Sequence, residues 1–431
     1  MNIGETMHEW ARTLFPICRS LSGNGVRSTL AFIQGLLPGL EIHSVASGVK
    51  AFDWTVPDEW NIRDAYIAGM DGRKWVDFGA SNLHVVGYSE PVNLRLSRQE
   101  LEPHLYSLPE QPDAIPYATS FYERTWGFCL THRQRLALPQ GPFHVVIDAD
   151  LGPGVLNYAD LLIPGDSEEE ILLSTYVCHP SMANNELSGP VVACALGRWL
   201  QALPHRRYSY RLVFVPETIG SIVYISRHLQ HLRSRVRAGY VLTCLGDERA
   251  YSFIPSRRDG TLADRVGRAV LQELAPDYRE YAFLDRGSDE RQYCSPGVDL
   301  PIASLMRSKY GCYPEYHTSL DDLDLVTPRG LAGGYEALHR CITVLESNET
   351  YRASQLCEPQ LGKRGLYPNL SSRGHRTDAV RNIMNILAYA DGTLDCVGLS
   401  AVTKVPVSEC LAICARLAEN GVLTRVDAAV S

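Results

Sequence analysis

Three patterns of apolar and polar positions follow one another along the chain. Residues 5–40 carry apolar positions at helical spacing, in "HEWARTLFPIC" and "GNGVRSTLAFIQGLL". A Ser-Gly-Asn-Gly break separates the two stretches and Pro38-Gly39 closes the second, which predicts two helices. From Ala51 to about Phe143 the pattern shortens and alternates, as in "KWVDFGASNLHVVGYS" and "VNLRLS". Pro57, Pro103, Pro109, Pro112, Pro116 and Pro139 punctuate this part, and antiparallel strands are predicted. From Phe143 onward "FHVVIDAD", "EEEILLSTYVC", "YRLVFVPET" and "AGYVLTCLG" are apolar runs of strand length. Helical patterns such as "GPVVACALGRWLQAL" and "SIVYISRHLQHL" lie between them. That alternation predicts an α/β fold with a mostly parallel sheet covered by helices. "TLADRVGRAVLQELA" and "LAGGYEALHRCITVLESN" add to the helical layers.

After this the chain turns polar, with Gly and Pro in "CEPQLGKRGLYPNLSSRGHR", and reads as a linker. The C-terminal stretch holds three helical patterns and a short strand, "VLTRV". Val407-Ser408 opens its third helix, with Glu409 in the first turn, and Asn420-Gly421 ends it. The unit resembles a winged helix-turn-helix. The expected organisation is therefore an α/β domain from 1–50 and 145–350, a β-rich insertion at 51–144, a linker at 351–375 and a winged-helix-like domain at 376–431.

Composition narrows the reading. The chain has 431 residues, 45% hydrophobic and 21% charged, as expected of a globular protein of two or three domains. A net charge of −8, with Arg416 as the one basic side chain of the supposed recognition helix, argues against a nucleic-acid partner. No run approaches ~18 apolar residues, so no membrane span is expected. The N-terminus mixes acid, His and Arg with its apolar positions and does not read as a signal peptide, so the cytoplasm is the expected location. Twelve Cys without a C-x-x-C spacing read as buried, reduced thiols. A homo-oligomer remains possible.

The candidate chemistry lies where apolar runs end. In "STYVCHPSMANNELSGP" the strand pattern stops at Cys178-His179, and open α/β sheets bind ligands at the carboxyl ends of their strands. Glu217 ends the strand pattern of "FVPETIG"; Asp289 and Glu290 lie in "DRGSDERQY"; His317 and Asp321 lie in "YGCYPEYHTSLDDLD". Imidazoles and carboxylates of this kind are the ligand inventory of a zinc hydrolase. Arg286, Arg291, Arg307 and Lys309 are placed nearby as candidate binders of a substrate carboxylate or phosphate, and Tyr316 as a candidate lining of the substrate pocket.

The order and local contexts of these stretches resemble the zinc aminopeptidase-like superfamily, and the phrases "DWTVPDEWNI", "CHPSMANNELSGP", "PETIGS", "SDERQY" and "YHTSLDDLD" carry a closer resemblance. More closely, the chain resembles a bacterial family of aminopeptidase-like proteins with a β-rich insertion and a C-terminal winged helix. The resemblance implies metal ligation by His179, Asp289 and His317, with Glu217 as general base and Asp321 supporting His317. It also shows departures. Asn185 stands where a bridging Asp is usual, Glu186 stands at the following Asn position, and Thr218 replaces a second Glu ligand. With less negative charge, one Zn²⁺ is expected rather than two, with Glu186 helping to hold it. The implied activity is hydrolysis of an amide in a small peptide-like or aminoacyl conjugate. The alternative is a decayed peptidase fold that serves as a binding or scaffold protein.

Overall fold

A computed structural model describes residues 2–121, 123–366 and 375–426. Residues 367–374 of the expected linker and 427–431 of the expected winged helix lie outside the described residues. The described residues divide into two compact units, one from those up to 259 with 279–336, the other from 260–278 with those from 337 to 426.

The first unit is organised around an eight-stranded sheet. Strands Glu170–Tyr176 and Ser209–Val215 are buried over their whole length and run parallel, with Tyr176 beside Val215. Val236–Val241 and Ile302–Met306 continue the parallel set. Antiparallel neighbours flank it: Val155–Ile163 and then Glu41–Ala46 on one side, Ser252–Ile254 on the other. Apolar runs without alternation are what strands covered on both faces require.

Two crossover helices, Ser188–Ala202 and Ile219–Arg235, begin just beyond the ends of the central strands. The expected N-terminal helices are Ile3–Leu14, opened by an Asn2/Glu5 capping box, and Asn24–Leu36. Gly189 lets the first crossover helix approach the sheet. A Cβ there would lie 2.2 Å from the carbonyl oxygen of Leu242 and 2.3 Å from Thr175 Oγ1.

The β-rich region contributes a second, antiparallel sheet in the order Lys74–Asp77, Glu59–Gly69, Phe143–Gly152, Val92–Leu96. "FHVVIDAD", expected in the parallel sheet, belongs here. Phe143, Val145, Ile147 and Ala149 are buried while the residues between them are not, a period of two that marks a strand covered on one face. The apolar core is continuous from Trp60, Val145 and Ile147 to Tyr176, Val213 and Val241, so the insertion shares the core of the larger sheet.

The second unit contains helices His375–Tyr389, Cys396–Thr403 and Val407–Glu419, with strands Thr350–Ala353, Asp391–Asp395 and Leu423–Arg425. Thr350–Ala353 is the central strand of its sheet, so the first residues of the expected linker are instead part of the unit. Helix Leu262–Leu274, expected in the α/β layers, also groups here and pairs Arg265 with Asp395 at 2.7 Å. No cysteine is bridged. Most are buried, and Cys312 and Cys357 are exposed. Among the described residues no single helix is long and apolar enough to cross a membrane.

Candidate active site

The register of the two central strands brings the first groups together. Because Tyr176 sits beside Val215, Cys178 and Glu217 are neighbours two residues on, and the Glu217 N–H donates to Cys178 Sγ at 3.2 Å. His179 Nε2 then lies 3.7 Å from Glu217 Oε2. The other ring nitrogen, Nδ1, is 2.8 Å from Glu186 Oε2.

Arg19 stands behind Glu186. Its Nε is 3.3 Å from Glu186 Oε1, and both side chains are fully buried. The same guanidinium donates to the carbonyls of His179 and Leu14, each at 2.8 Å. Burial pushes Glu186 up to about 8 against the pull of Arg19, and brings His179 down to about 3, with Arg19 adding to that fall. A guanidinium in contact favours the carboxylate form of Glu186. A carboxylate accepts a hydrogen bond from Nδ1–H, which leaves the Nε2 lone pair facing Glu217; this tautomer is assigned from the hydrogen-bond partners.

His317 is held differently. It adopts a left-handed φ of 57°, its carbonyl accepts the Tyr117 N–H at 2.9 Å, and its ring stacks on Tyr316 at 3.9 Å. Its centroid is 5.6 Å from that of His179, and Tyr117 lies 5.2 Å from each. His317 Nε2 is buried and has no hydrogen-bond partner. Burial, and then His179, brings this ring down to about 3 as well, so both imidazoles offer lone pairs at neutral pH.

Asp289 reaches the same region through the backbone after Glu217. Its Oδ1 accepts from the Thr218 N–H and from Ser221 Oγ, each at 2.8 Å, while Oδ2 is buried without a partner. Burial lifts Asp289 to about 6. Burial, with the Asp289 charge next, lifts Glu217 to about 8 against the opposing pull of Arg291. Thr218 has a φ of 65°, which a β-branched residue avoids unless its surroundings impose it. The imposed turn points its N–H at Asp289 and its hydroxyl at Arg291 Nη2, 2.5 Å away.

His179, Glu217 and His317 open onto a cavity of about 320 Å³ that is also lined by Cys178, Thr218 and Arg291, and by Trp54, Tyr117 and Phe121 from the β-rich region.

The structure thus gathers His179, Glu217, Asp289 and His317, and redirects others. Glu186, expected as a ligand, holds His179 Nδ1 and Arg19. Asp321, expected beside His317, instead accepts the backbone N–H groups of Ala183, Asn184 and Asn185, and also the Tyr313 hydroxyl. It caps the π-type turn Ala183–Leu187 that carries Glu186. Asn185 donates to the Tyr176 hydroxyl at 3.1 Å. Glu290 is buried and accepts from Gly287 N–H and the Tyr310 hydroxyl, shaping the loop before Asp289.

Of the proposed substrate-binding and pocket-lining residues only Arg291 lines the cavity. Arg286 is exposed and lies 4.9 Å over the Phe283 ring. Arg307 is buried 4.0 Å over Tyr251. Tyr316 backs His317 without lining the cavity. Sequence reasoning missed Arg19, Trp54, Tyr117 and Phe121. Trp54 falls within "DWTVPDEWNI", a signal available in the motif; Arg19 and Tyr117 had none.

Two places could hold a cation. Cys178, His179 and Glu186 offer donor atoms within 4.8 Å of one another. There Glu186 Oε2 is taken by His179 Nδ1, Oε1 lies 3.3 Å from Arg19 Nε but has no hydrogen-bond partner, and burial raises the thiol well above its ordinary range. The Nε2 side of His179 offers a second set: His317 Nε2 and Asp289 Oδ2 are buried and without partners, although the donors of this set do not all lie within 4.8 Å of one another.

A mixed sheet of this order, with chemistry at the carboxyl ends of its parallel strands, defines an aminopeptidase-like α/β protein joined to a winged helix. The chain belongs to the family described as Domain of unknown function (DUF4910), whose profile matches residues 8–348; a winged helix-turn-helix family matches 349–425. A Clostridium acetobutylicum protein named "Putative polysaccharide biosynthesis protein with aminopeptidase-like domain" is 45% identical over 365 residues, 84% of this chain and 83% of that one. A crystal structure of a "putative peptidase" from the same organism superposes with a TM-score of 0.92 at 40% identity, covering 98% of this chain and 96% of that one. A zinc aminopeptidase from Bacillus subtilis superposes with a TM-score of 0.58 at 11% identity, covering 79% of this chain and 93% of that one, a likeness of fold.

Proposed function

We propose that the protein is a zinc-dependent amide hydrolase of the aminopeptidase type, acting on a small peptide-like or aminoacyl conjugate. The observation that carries the reading is the pair of buried, unpartnered lone-pair atoms, His317 Nε2 and Asp289 Oδ2, in a site where His179 Nε2 faces Glu217. His179, Asp289 and His317 would hold one Zn²⁺, which when bound lowers the pKa of water and polarises a carbonyl. Glu217, lifted by burial, takes the proton from the attacking water and returns it to the leaving amine. Glu186 and Arg19 keep the His179 ring in place during both transfers. The Clostridium relative's name supports a substrate in the chemistry of polysaccharide synthesis rather than in protein turnover.

Metal analysis of protein purified without chelator, joined to turnover of aminoacyl-arylamides by the native chain and by Glu217→Gln, tests this. About one zinc per chain with turnover that depends on Glu217 is expected. One observation favours the alternative of a binding or scaffold protein: Thr218 and Asn185 bring no carboxylate to the site. Metal-free protein without turnover would establish that alternative.

A further inference from the structure

The cavity is lined by side chains of two chemical kinds. Trp54, Tyr117, Phe121 and Leu21 supply apolar, largely aromatic lining. Arg291 lies opposite in character, on the segment that carries Asp289. It is exposed, its Nη2 is anchored on the Thr218 hydroxyl, and among the described residues it makes no ion pair. Arg63, Arg133, Arg211, Arg249 and Arg265, by contrast, meet carboxylates. The carboxylates nearest Arg291, Glu217 and Asp289, feel its charge without closing an ion pair with it. Asp289 Oδ1 takes Thr218 N–H and Ser221, and Glu217 lies beside His179 Nε2. The guanidinium is fixed at one nitrogen by a neighbour of the general base and keeps its remaining donors for something that enters the cavity.

We propose that the site selects amides bearing an anion, a carboxylate or phosphate, held by Arg291, with a flat apolar group such as an aromatic or sugar ring on the Trp54, Tyr117 and Phe121 lining. The assignment deepens the hydrolase reading and rests on it for the word amide; the anion subsite itself is independent of turnover. The short Thr218–Arg291 link sets the anion close to the scissile bond. A compact conjugate fits that spacing, whereas a long peptide would leave its distant carboxylate out of reach.

The test is equilibrium binding, by calorimetry or ligand-observed NMR, of four probes sharing one ring: benzoate, phenyl phosphate, benzamide and benzyl alcohol. The anionic probes are expected to bind roughly tenfold more tightly than the neutral ones, the order of one charge-assisted hydrogen bond at a solvent-open site. Arg291→Met brings that ratio to about one, and Arg291→Lys keeps most of it. A ratio of about one in the native chain, or a ratio that survives Arg291→Met, overturns the proposal. If Arg291→Met fails to fold, salt decides on the native chain: a preference undiminished at 1 M, where charges are screened within about 3 Å, overturns it. Benzoate against phenyl phosphate tells the two anions apart.

A second arm compares turnover of leucine anilide with its para-carboxylate and para-phosphate analogues. No turnover of any of them, together with anion-selective binding, ends the hydrolase reading and keeps the subsite. Turnover without anion selectivity in either arm does the reverse.

Discussion

The two histidines of the site are held in contrasting ways. His179 sits at the end of a rigid, fully buried strand, and its outer nitrogen is gripped by a buried carboxylate that is itself gripped by a buried guanidinium. His317 lies on a loop. A left-handed backbone, a stacked Tyr316 and one backbone hydrogen bond from Tyr117 place it, and its Nε2 has no partner. One ring is oriented by electrostatics in the interior. The other is oriented by shape, partly by a residue of the β-rich insertion. A site that joins the two has one fixed jaw and one placed by packing.

The largest effect is expected at the group between the jaws. Glu217→Gln should lower kcat on an arylamide substrate by about 10²–10⁴-fold while zinc content stays near that of the native chain, the range for losing general acid–base catalysis. Loss of zinc along with activity would make Glu217 a ligand and erase the division of labour proposed here.

The fixed jaw is tested next. Arg19→Met leaves Glu186 buried beside His179 without its cation and should cost about 3–5 kcal/mol in denaturant unfolding. Glu186→Gln removes the carboxylate that orients Nδ1. It should weaken zinc affinity about 10–100-fold, read by competition with a chelating dye, the scale known for a carboxylate behind a ligating His. A Glu186→Gln chain with native zinc affinity would show that the strand alone fixes His179.

Asp321→Asn sharpens the contrast further. As a cap on the 183–185 N–H groups, Asp321 should contribute about 0.5–2 kcal/mol of stability, lost in the variant, with zinc affinity moving less than in Glu186→Gln. The opposite balance would restore Asp321 to His317.

The smallest effect concerns acid. Glu59 is held near 2 chiefly by its hydrogen bond from Arg27, which ties helix Asn24–Leu36 to the inserted sheet. Its pKa is depressed on folding, so its contribution is present above the ordinary value of 4.5 and fades as pH falls from there toward 2. Glu59→Gln should flatten the stability profile in that window and leave it parallel to the native one above pH 6.

The fixed jaw was legible in the sequence and the loop jaw only in part. Strand ends announce themselves through apolar runs that stop at polar residues, so His179 and Glu217 could be read with the sheet itself. His317 was found as a residue type in an aromatic loop, but its supports were not. Tyr117 is 200 residues away in sequence, and only the fold brings its N–H to the His317 carbonyl. The contacts of Glu186 and Asp321 needed the fold for a related reason: sequence shows that a carboxylate is near a motif, not which side of an imidazole it meets. Arg19 carried no signal, because a buried arginine looks like a surface one until its partners are seen. "FHVVIDAD" was assigned to the wrong sheet because its hydrophobicity was weighed above its alternation.

The Tyr117–His317 tether has a practical side for anyone who would trim this protein. Deleting residues 51–144 to obtain a minimal hydrolase core would cut away the strap that seats one imidazole and the aromatic panel facing the cleft. The inserted region is better treated as half of the socket than as decoration on it, and a shortened chain would need a replacement brace for residue 317 before its loss of activity could be blamed on anything else.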